Sequence, residues 1–197
     1  MDALLLSGGT DSIALAFWKR PRIAITVDYG QKPAQAEIQA AGAVCAALDI
    51  EHDVIRVDCS SIGSGDLLGT APLGIAPVPE WWPYRNQLLI TLAAARLAGR
   101  GAGMLFLGTV ASDAVHADGT ELFVNALSQL MELQEGHLRV EAPAIKLSSA
   151  ALIRESAVPL EILGWAHSCH VANLACGFCR GCAKHFETMK ELGIGPY

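Results

Sequence analysis

A glycine turn close to the N-terminus has the residue types needed to hold a phosphate group. Residues 7–12 read Ser-Gly-Gly-Thr-Asp-Ser and stand between two short apolar runs, so they are expected to join a strand to a helix. Glycine lets the backbone approach an anion and adopt φ angles that side chains forbid. Backbone N–H groups at a helix start, with the Ser7 and Ser12 hydroxyls, can then bind phosphate oxygens. An ordinary turn whose helix is capped by Asp or Ser is the alternative.

This segment resembles the pyrophosphate loop of the ATP pyrophosphatases, which cleave ATP between its α and β phosphates and adenylate a substrate. It lacks the lysine of the GxxxxGK[ST] loop, which rules out that other kind of phosphate site. The resemblance assigns pyrophosphate binding to Ser7, Gly8, Gly9, Thr10, Asp11 and Ser12. A role of Asp11 as a simple helix N-cap stays an equal alternative.

Four cysteines near the C-terminus have the spacing of a metal site. They follow the pattern Cys169-x6-Cys176-x2-Cys179-x2-Cys182, and four thiolates complete the tetrahedral coordination of a structural Zn²⁺ ion. An iron–sulfur cluster is the alternative, although the ferredoxin spacing continues with x3-Cys-Pro. Free core cysteines are disfavoured because their neighbours are polar or small. The sequence therefore predicts a Zn²⁺ site.

The composition excludes several broad classes of protein. With 197 residues, of which 52% are hydrophobic, the chain can bury a substantial core. A net charge of −6 argues against a general nucleic-acid binder. No apolar run reaches the roughly 20 residues of a membrane-spanning helix, and Asp2 does not suit a signal peptide. These features predict a soluble cytoplasmic protein without membrane contact.

Strand-like and helix-like segments alternate along the chain. Strands are expected at 3–6, 22–27, 53–57, 103–108 and 138–142, and helices at 11–19, 33–48, 84–99, 120–134, 148–157 and 183–192. Such alternation predicts an α/β fold with a doubly wound parallel sheet. Ligands of these sheets bind beyond the carboxyl ends of the strands.

Two regions depart from this alternation. A Gly/Pro/Ser-rich stretch at 58–83, with prolines that include Pro77, is too long for an ordinary connection and is interpreted as an active-site loop or lid. The cysteines lie in a short C-terminal tail. We therefore expect an α/β domain at 1–160 and a zinc-binding element at 161–197.

With the glycine turn at one end and the cysteines at the other, the chain resembles the 7-cyano-7-deazaguanine synthase (QueC) family. Further matches to the family pattern lie between the two ends and in the cysteine region: Val27-Asp28-Tyr29-Gly30-Gln31, Glu37, Pro83-Tyr84-Arg85-Asn86, Leu107-Gly108, Asp113 and Ser168-Cys169. The resemblance spans nearly the whole chain, and it implies an adenine nucleotide alpha hydrolase-like fold.

The resemblance also implies a reaction. ATP would activate 7-carboxy-7-deazaguanine as an adenylate, ammonia would displace AMP to give the amide, and a second ATP would dehydrate the amide to the nitrile. The implied catalytic residues are Asp11, Ser12, Arg85, Asp113 and Lys146, with Asp28, Tyr29, Gln31, Arg85, Asn86 and Gly108 at the nucleotide. Mg²⁺ and a homodimer are expected as well. For Arg85 the alternative is a solvated arginine at a helix start.

The chain departs from the family pattern near the expected substrate. Residues 113–121 keep Asp113 and Asp118 but lack the Cys and Arg of the family's Tyr-Pro-Asp-Cys-Arg segment. The expected lysine is Ser149, with Lys146 nearby, and the arginine after the last cysteine is His185. These changes leave two alternatives open. One is transfer of the deazaguanine to a protein amine, as in relatives from anti-phage operons, and the other is a non-catalytic nucleotide sensor.

Overall fold

A computed structural model describes residues 1–76 and 78–195, so Pro77 lies outside the described residues. The strands are β1 (Asp2–Leu5), β2 (Ile23–Asp28), β3 (Glu51–Arg56), β4 (Met104–Leu107) and β5 (Arg139–Glu141). The α-helices are α1 (Thr10–Lys19), α2 (Ala34–Leu48), α3 (Arg85–Leu97), α4 (Glu121–Glu132), α5 (Ser149–Ser156), α6 (Leu160–Leu163) and α7 (Arg180–Leu192). Short 3₁₀ turns cover Ser60–Ile62, Ala111–Val115 and Ala117–Gly119.

The described strands form one parallel sheet in the order β3-β2-β1-β4-β5. Leu5 of β1 lies opposite Ile25 of β2 on one side and Leu107 of β4 on the other. The chain therefore moves outwards from β1 to β3 and then returns to place β4 beside β1. This reversal opens a crevice at the carboxyl ends of β1 and β4, where ligands of such sheets bind.

Alternating residues of each strand feed two separate cores, one on each face of the sheet. Leu4 and Ala24 pack with helices α1, α2 and α5. Ala3 and Ile25 pack with α3 and α4 on the opposite face. Because both faces are covered, the central strands β1, β2 and β4 are mostly apolar, and the expected doubly wound α/β fold is confirmed.

Several element bounds differ from the sequence-based expectation for local reasons. Helix α7 begins at Arg180 rather than at 183, because the Cys179 sulfur accepts the Cys182 N–H and caps the helix. Strand β3 begins at Glu51, where Arg22 O accepts its N–H. Helix α6 follows Pro159 as a single extra turn that the periodicity had not indicated.

The Gly/Pro/Ser-rich stretch folds back onto the sheet edge that carries the crevice. Trp82 is fully buried and meets the Tyr29 ring edge-on, with 4.9 Å between centroids. The Leu67 carbonyl accepts the Lys32 N–H, and the buried Glu80 carboxylate pairs with Arg180 of α7 at 3.0 Å. The stretch is therefore tied both to the loop after β2 and to the cysteine-bearing helix.

Candidate active site

The turn at residues 7–12 presents an open helix N-terminus to the crevice. Gly9 is the N-cap of α1, and no side chain caps the helix there. The Ser12 hydroxyl donates to Gly9 O at 3.0 Å, and the Ser7 and Ser12 hydroxyls lie 3.1 Å apart. Asp11 is the second residue of the helix, so it does not serve as the N-cap. The free N–H groups of this first turn can therefore receive an anion.

Two glycines allow this turn to pack closely against its surroundings. Gly8 adopts φ +77°, and a Cβ there would lie 2.6 Å from Glu37 O of α2. Gly108, at the end of β4, lies so close to α1 that a Cβ would meet Ser12 Cα at 3.0 Å. Both contacts are backbone contacts that cannot yield easily, so the glycines fix the loop between β1, α2 and β4.

A cavity of about 300 Å³ opens above this turn, at the reversal point of the sheet. Most of the residues predicted from the sequence line it: Ser7, Gly9, Thr10, Asp11, Ser12, Tyr29, Arg85, Asn86, Gly108 and Asp113. His116 and Asp118, from the segment expected near the substrate, line it as well. It also contains residues that the sequence prediction had not assigned to the site: Glu37, Leu67, His167, Ser168, His170, Lys184 and His185. The tertiary fold thus joins both ends of the chain around one space.

Four predicted site residues, Gly8, Asp28, Gln31 and Lys146, do not line this cavity. Lys146 is 77% exposed and pairs with Glu121 at 3.2 Å. Gln31 is buried behind the cavity, where its amide nitrogen donates to Val27 O and Glu37 and its oxygen accepts the Tyr29 N–H. Asp28 accepts the Gly30 N–H and lies beside Gln31 in a separate surface depression. Gln31 and Asp28 shape the turn after β2, whereas Lys146 is separate from the cavity.

Arg85, the first residue of α3, is half-buried and surrounded by groups that favour its charge. Burial acts to lower the pKa of Arg85, but Tyr29, Asp118, Glu37 and Asp113 outweigh it and raise that pKa. Burial also raises the pKa of Glu37 to about 7, against the lowering effects of Gln31 and Arg85. Arg85 is therefore a fixed cation within the cavity, and a solvated arginine is not what the structure shows.

A second cation reaches the cavity from α7, and sequence reasoning did not assign it to the site. Lys184 Nζ lies 2.9 Å from Asp11 Oδ2 and 3.1 Å from Asp113 Oδ1. Among the described residues, Arg85 and Lys184 are the only lysine or arginine side chains that line the cavity. The sequence signal that could have identified Lys184 is its position two residues after Cys182, since a metal bound by the cysteines would hold the start of this helix in a defined place.

The four cysteines of the C-terminal pattern converge in space. Their Sγ atoms all lie within 4.8 Å of one another, so they can hold a metal ion. The Cys176–Cys182 and Cys169–Cys179 sulfur pairs are each 3.9 Å apart. Backbone N–H groups of His170, Cys179 and Cys182 point at sulfurs of the group at 3.4–3.5 Å, an arrangement that stabilises thiolates.

The cysteine element also contacts the phosphate loop directly. The His167 N–H donates to Gly8 O at 2.8 Å, and the Ala36 N–H at the start of α2 donates to Asn173 Oδ1 at 3.0 Å. Ser168, which lies between His167 and Asn173 in the chain, lines the cavity. A metal that orders residues 167–182 would therefore order one wall of the site as well.

The family described as "Queuosine biosynthesis protein QueC" matches residues 2–193. The chain belongs to the QueC family. A 7-cyano-7-deazaguanine synthase of Campylobacter fetus is 29% identical, over 98% of this chain and 95% of that protein. A 7-cyano-7-deazaguanine synthase of Gloeobacter violaceus is 30% identical, over 97% of this chain and 92% of that protein.

A solved structure shares the fold of this QueC-family chain. It is the U34-tRNA thiolase NcsA from Methanococcus maripaludis with its [4Fe-4S] cluster. The TM-score is 0.56 at 16% sequence identity, covering 99% of this chain and 67% of the thiolase. At that identity the likeness concerns the fold alone.

These findings confirm the expected QueC family and an enzyme of the ATP-dependent ligase type. None of the helices in the described part of the chain has the length and apolarity to cross a bilayer. The homodimer, the domain boundary at residue 160 and the individual site residues stay predictions.

In the fold, Met189 of α7 packs in the same core as α1 and α5, so the C-terminal element is continuous with the α/β core.

Proposed function

We propose that this QueC-family chain activates 7-carboxy-7-deazaguanine with ATP and transfers the activated acid to ammonia. The observation that carries the proposal is a single cavity that joins the open N-terminus of α1 to Arg85, Asp113 and Asp118. ATP and the acid must bind in one space for adenyl transfer. This cavity has one side suited to the triphosphate and another suited to the acid. The names of the curated relatives support the same substrate.

The phosphate side of the cavity fits the triphosphate together with a divalent cation. The first-turn N–H groups of α1 and the Ser7 and Ser12 hydroxyls suit the departing pyrophosphate. Asp11 Oδ1 is buried and has no hydrogen-bond partner among the described residues. A carboxylate oxygen of this kind suits Mg²⁺, which is bound through a few carboxylates and the substrate phosphates. When bound, Mg²⁺ would neutralise charge on the phosphates, and Asp11 would hold it.

The acid side of the cavity fits a flat, donor-rich base. Leu67, Leu89 and Ile90 form apolar walls. Asn86 is held in place by two contacts to Asp118, at 3.2 and 3.4 Å. The carboxylates of Asp118 and Glu37 can accept N–H groups of a guanine-like ring, and Arg85 can bind its carboxylate.

The proposed reaction needs no nucleophile from the protein. A carboxylate oxygen of the acid attacks the α-phosphorus, the bond to the bridging oxygen breaks, and pyrophosphate leaves. Ammonia then attacks the acyl carbon of the adenylate, AMP leaves, and the amide forms after a proton passes to solvent. The amide oxygen then attacks the α-phosphorus of a second ATP and pyrophosphate leaves; the C–O bond breaks, AMP departs with that oxygen, and the nitrogen loses its two protons to solvent to give the nitrile. The chain's residues bind, orient and neutralise charge in each step.

For the cysteine cluster we propose a structural Zn²⁺ ion. A tetrahedral site with Zn–S bonds of about 2.3 Å requires sulfurs about 3.8 Å apart, and the two Cys pairs are separated by 3.9 Å. A [4Fe–4S] cluster binds each thiolate to a different iron and a [2Fe–2S] cluster divides the four thiolates between two irons, so either cluster spreads the sulfurs more widely. The compact arrangement therefore favours one ion.

A protein amine is a second candidate acceptor, and the rim of the cavity favours it. His116 lines the cavity, whereas Ala114 and Ala117 beside it are exposed and Val115 is 43% exposed. A small apolar rim leaves room for a side chain to enter beside the adenylate. Ammonia needs no such opening. The two hypotheses therefore predict different rates of amide formation when ammonium is the only amine supplied.

The deciding experiment follows products of the purified chain with ATP, Mg²⁺ and 7-carboxy-7-deazaguanine. We expect AMP and pyrophosphate to form only when the acid is present. Guanine, which has no carboxylate, is the control and should give neither product. Ammonium should convert the acid to the amide and then to the nitrile, as mass spectrometry would detect. Acid-dependent release of AMP with little formation of the amide or the nitrile would favour a protein amine as the acceptor. No acid-dependent AMP would refute the proposed function.

A further inference from the structure

Lys184 occupies a position between the two sides of the cavity. Asp11 belongs to the helix that follows the phosphate loop, and Asp113 belongs to the 3₁₀ turn after β4, next to the acid side. The Lys184 ammonium contacts both carboxylates, at 2.9 and 3.1 Å. In the proposed reaction the α-phosphorus must lie where the triphosphate and the acid meet, and this is where the ammonium is held.

The two carboxylates hold the ammonium without using all of its donors. A lysine has three N–H bonds, and two of them point at Asp11 and Asp113. Within the described residues no third partner is found for it; the side chain is 38% exposed and lines the cavity. One N–H bond is therefore available to a ligand.

The carboxylates also have separate oxygens for separate tasks. Asp11 meets Lys184 through Oδ2, which leaves the buried Oδ1 for a cation. Asp113 meets Lys184 through Oδ1, while its Oδ2 accepts the Val110 N–H at 3.0 Å. The ammonium can thus stay in place when a metal and a nucleotide enter, because neither has to displace it.

Lys184 is suited to electrostatic stabilisation because its ammonium lies between two carboxylates, 2.9 Å from Asp11 and 3.1 Å from Asp113. Arg85, the other cation of the cavity, is affected most by Tyr29 and Asp118 and less by Glu37 and Asp113. Among the described residues it is Lys184, and not Arg85, that forms ion pairs with Asp11 and Asp113.

We propose that Lys184 is a catalytic residue whose ammonium contacts the α-phosphate of ATP and stabilises the charge that develops there as the acid attacks and pyrophosphate leaves. The proposal rests on the proposed function for the identity of the reaction. A preformed donor aimed at developing charge is worth about 100-fold or more in rate. Lys146, which the sequence suggested as a catalytic lysine, does not line the cavity, whereas Lys184 does.

The test compares full-length Lys184→Met and Lys184→Arg with Lys190→Met, an exposed lysine of the same helix. Lys184→Met should lower kcat for acid-dependent pyrophosphate release at least about 100-fold, with a much smaller change in the Kd of ATP. Lys184→Arg should recover part of that loss because it keeps the charge. Metal content and Tm identify any variant that fails through folding. Lys184→Met with kcat within about threefold of the wild type would overturn the proposal.

A second readout does not depend on turnover. In ³¹P NMR of the ATP complex, Lys184→Met should shift the α-phosphorus resonance more than the γ resonance, and Lys190→Met should match the wild type. An unchanged α resonance in Lys184→Met would overturn the contact even if the acid is not a substrate. Failure of the wild type to bind ATP at all would instead refute the proposed function.

Discussion

A Cβ placed on Gly8 would lie 2.6 Å from the carbonyl oxygen of Glu37, so the phosphate loop and helix α2 meet backbone to backbone. No side-chain movement can relieve that contact. The same glycine accepts the His167 N–H through its own carbonyl. Gly8 therefore joins the phosphate loop to α2 on one side and to the cysteine element on the other.

Gly8→Ala should destabilise the protein and weaken ATP binding. A positive φ costs an alanine about 1 kcal/mol, and overpacking adds about 1–3 kcal/mol. Gly99→Ala is the matched control, because Gly99 has φ +78° and open space around it. Urea unfolding and ATP titration should show a larger loss for Gly8→Ala in both measurements. Equal losses of stability in the two variants would contradict the close contact.

Asp11→Asn should abolish acid-dependent pyrophosphate release while the fold stays intact. The change removes a charge that pairs with Lys184 at 2.9 Å and an orphaned oxygen suited to Mg²⁺. We expect a fall in kcat of about 100-fold or more, with little change in the far-UV spectrum. Asp49→Asn, an exposed carboxylate at the end of α2, is the control. A wild-type rate in Asp11→Asn would refute the assignment.

Cys176→Ser should release the metal and loosen the wall of the site that contains His167. A closed structural site contributes directly to folding, so a missing thiolate weakens both metal and element. Elemental analysis should find about one zinc per wild-type chain and far less in the variant. Cys59→Ser, a buried cysteine outside the cluster, should keep its zinc. Stoichiometric iron in the native protein would show that the site holds a different metal group.

Glu37→Gln should change how stability depends on pH. Burial raises the pKa of Glu37 to about 7 in the folded protein from an ordinary value of 4.5. The folded state therefore binds the proton more tightly, and stability falls as pH rises from about 4.5 through 7. Glutamine resembles the protonated acid and does not titrate. The variant should match the wild type near pH 4 and exceed it near pH 8.

Chemical denaturation of the ligand-free protein across this range would measure the effect. The difference between the two proteins isolates Glu37, because Arg85, Asp28 and Tyr29 around it are present in both. A stability difference that is independent of pH would contradict a raised pKa for Glu37.

The sequence by itself determined the fold class and both ends of the site. Alternating apolar segments could only be buried in a parallel sheet covered on both faces, and the glycine turn after the first strand had to lie at the carboxyl edge of that sheet. The four cysteines could be grouped from spacing alone, because Gly177 and Gly181 and the short separations bring nearby thiolates together. Local chemistry was enough for each of these conclusions.

Only the tertiary structure decided which charged side chains share the cavity. Lys184 and Asp11 lie at opposite ends of the chain and are 2.9 Å apart, whereas Lys146, which lies near the position of the family's lysine, pairs with Glu121 at the surface. Gln31 matched a family motif as well, yet its amide is used up by Val27, Tyr29 and Glu37. The physical reason is that a side chain's direction and partners depend on how helices pack, and no sequence spacing records that packing.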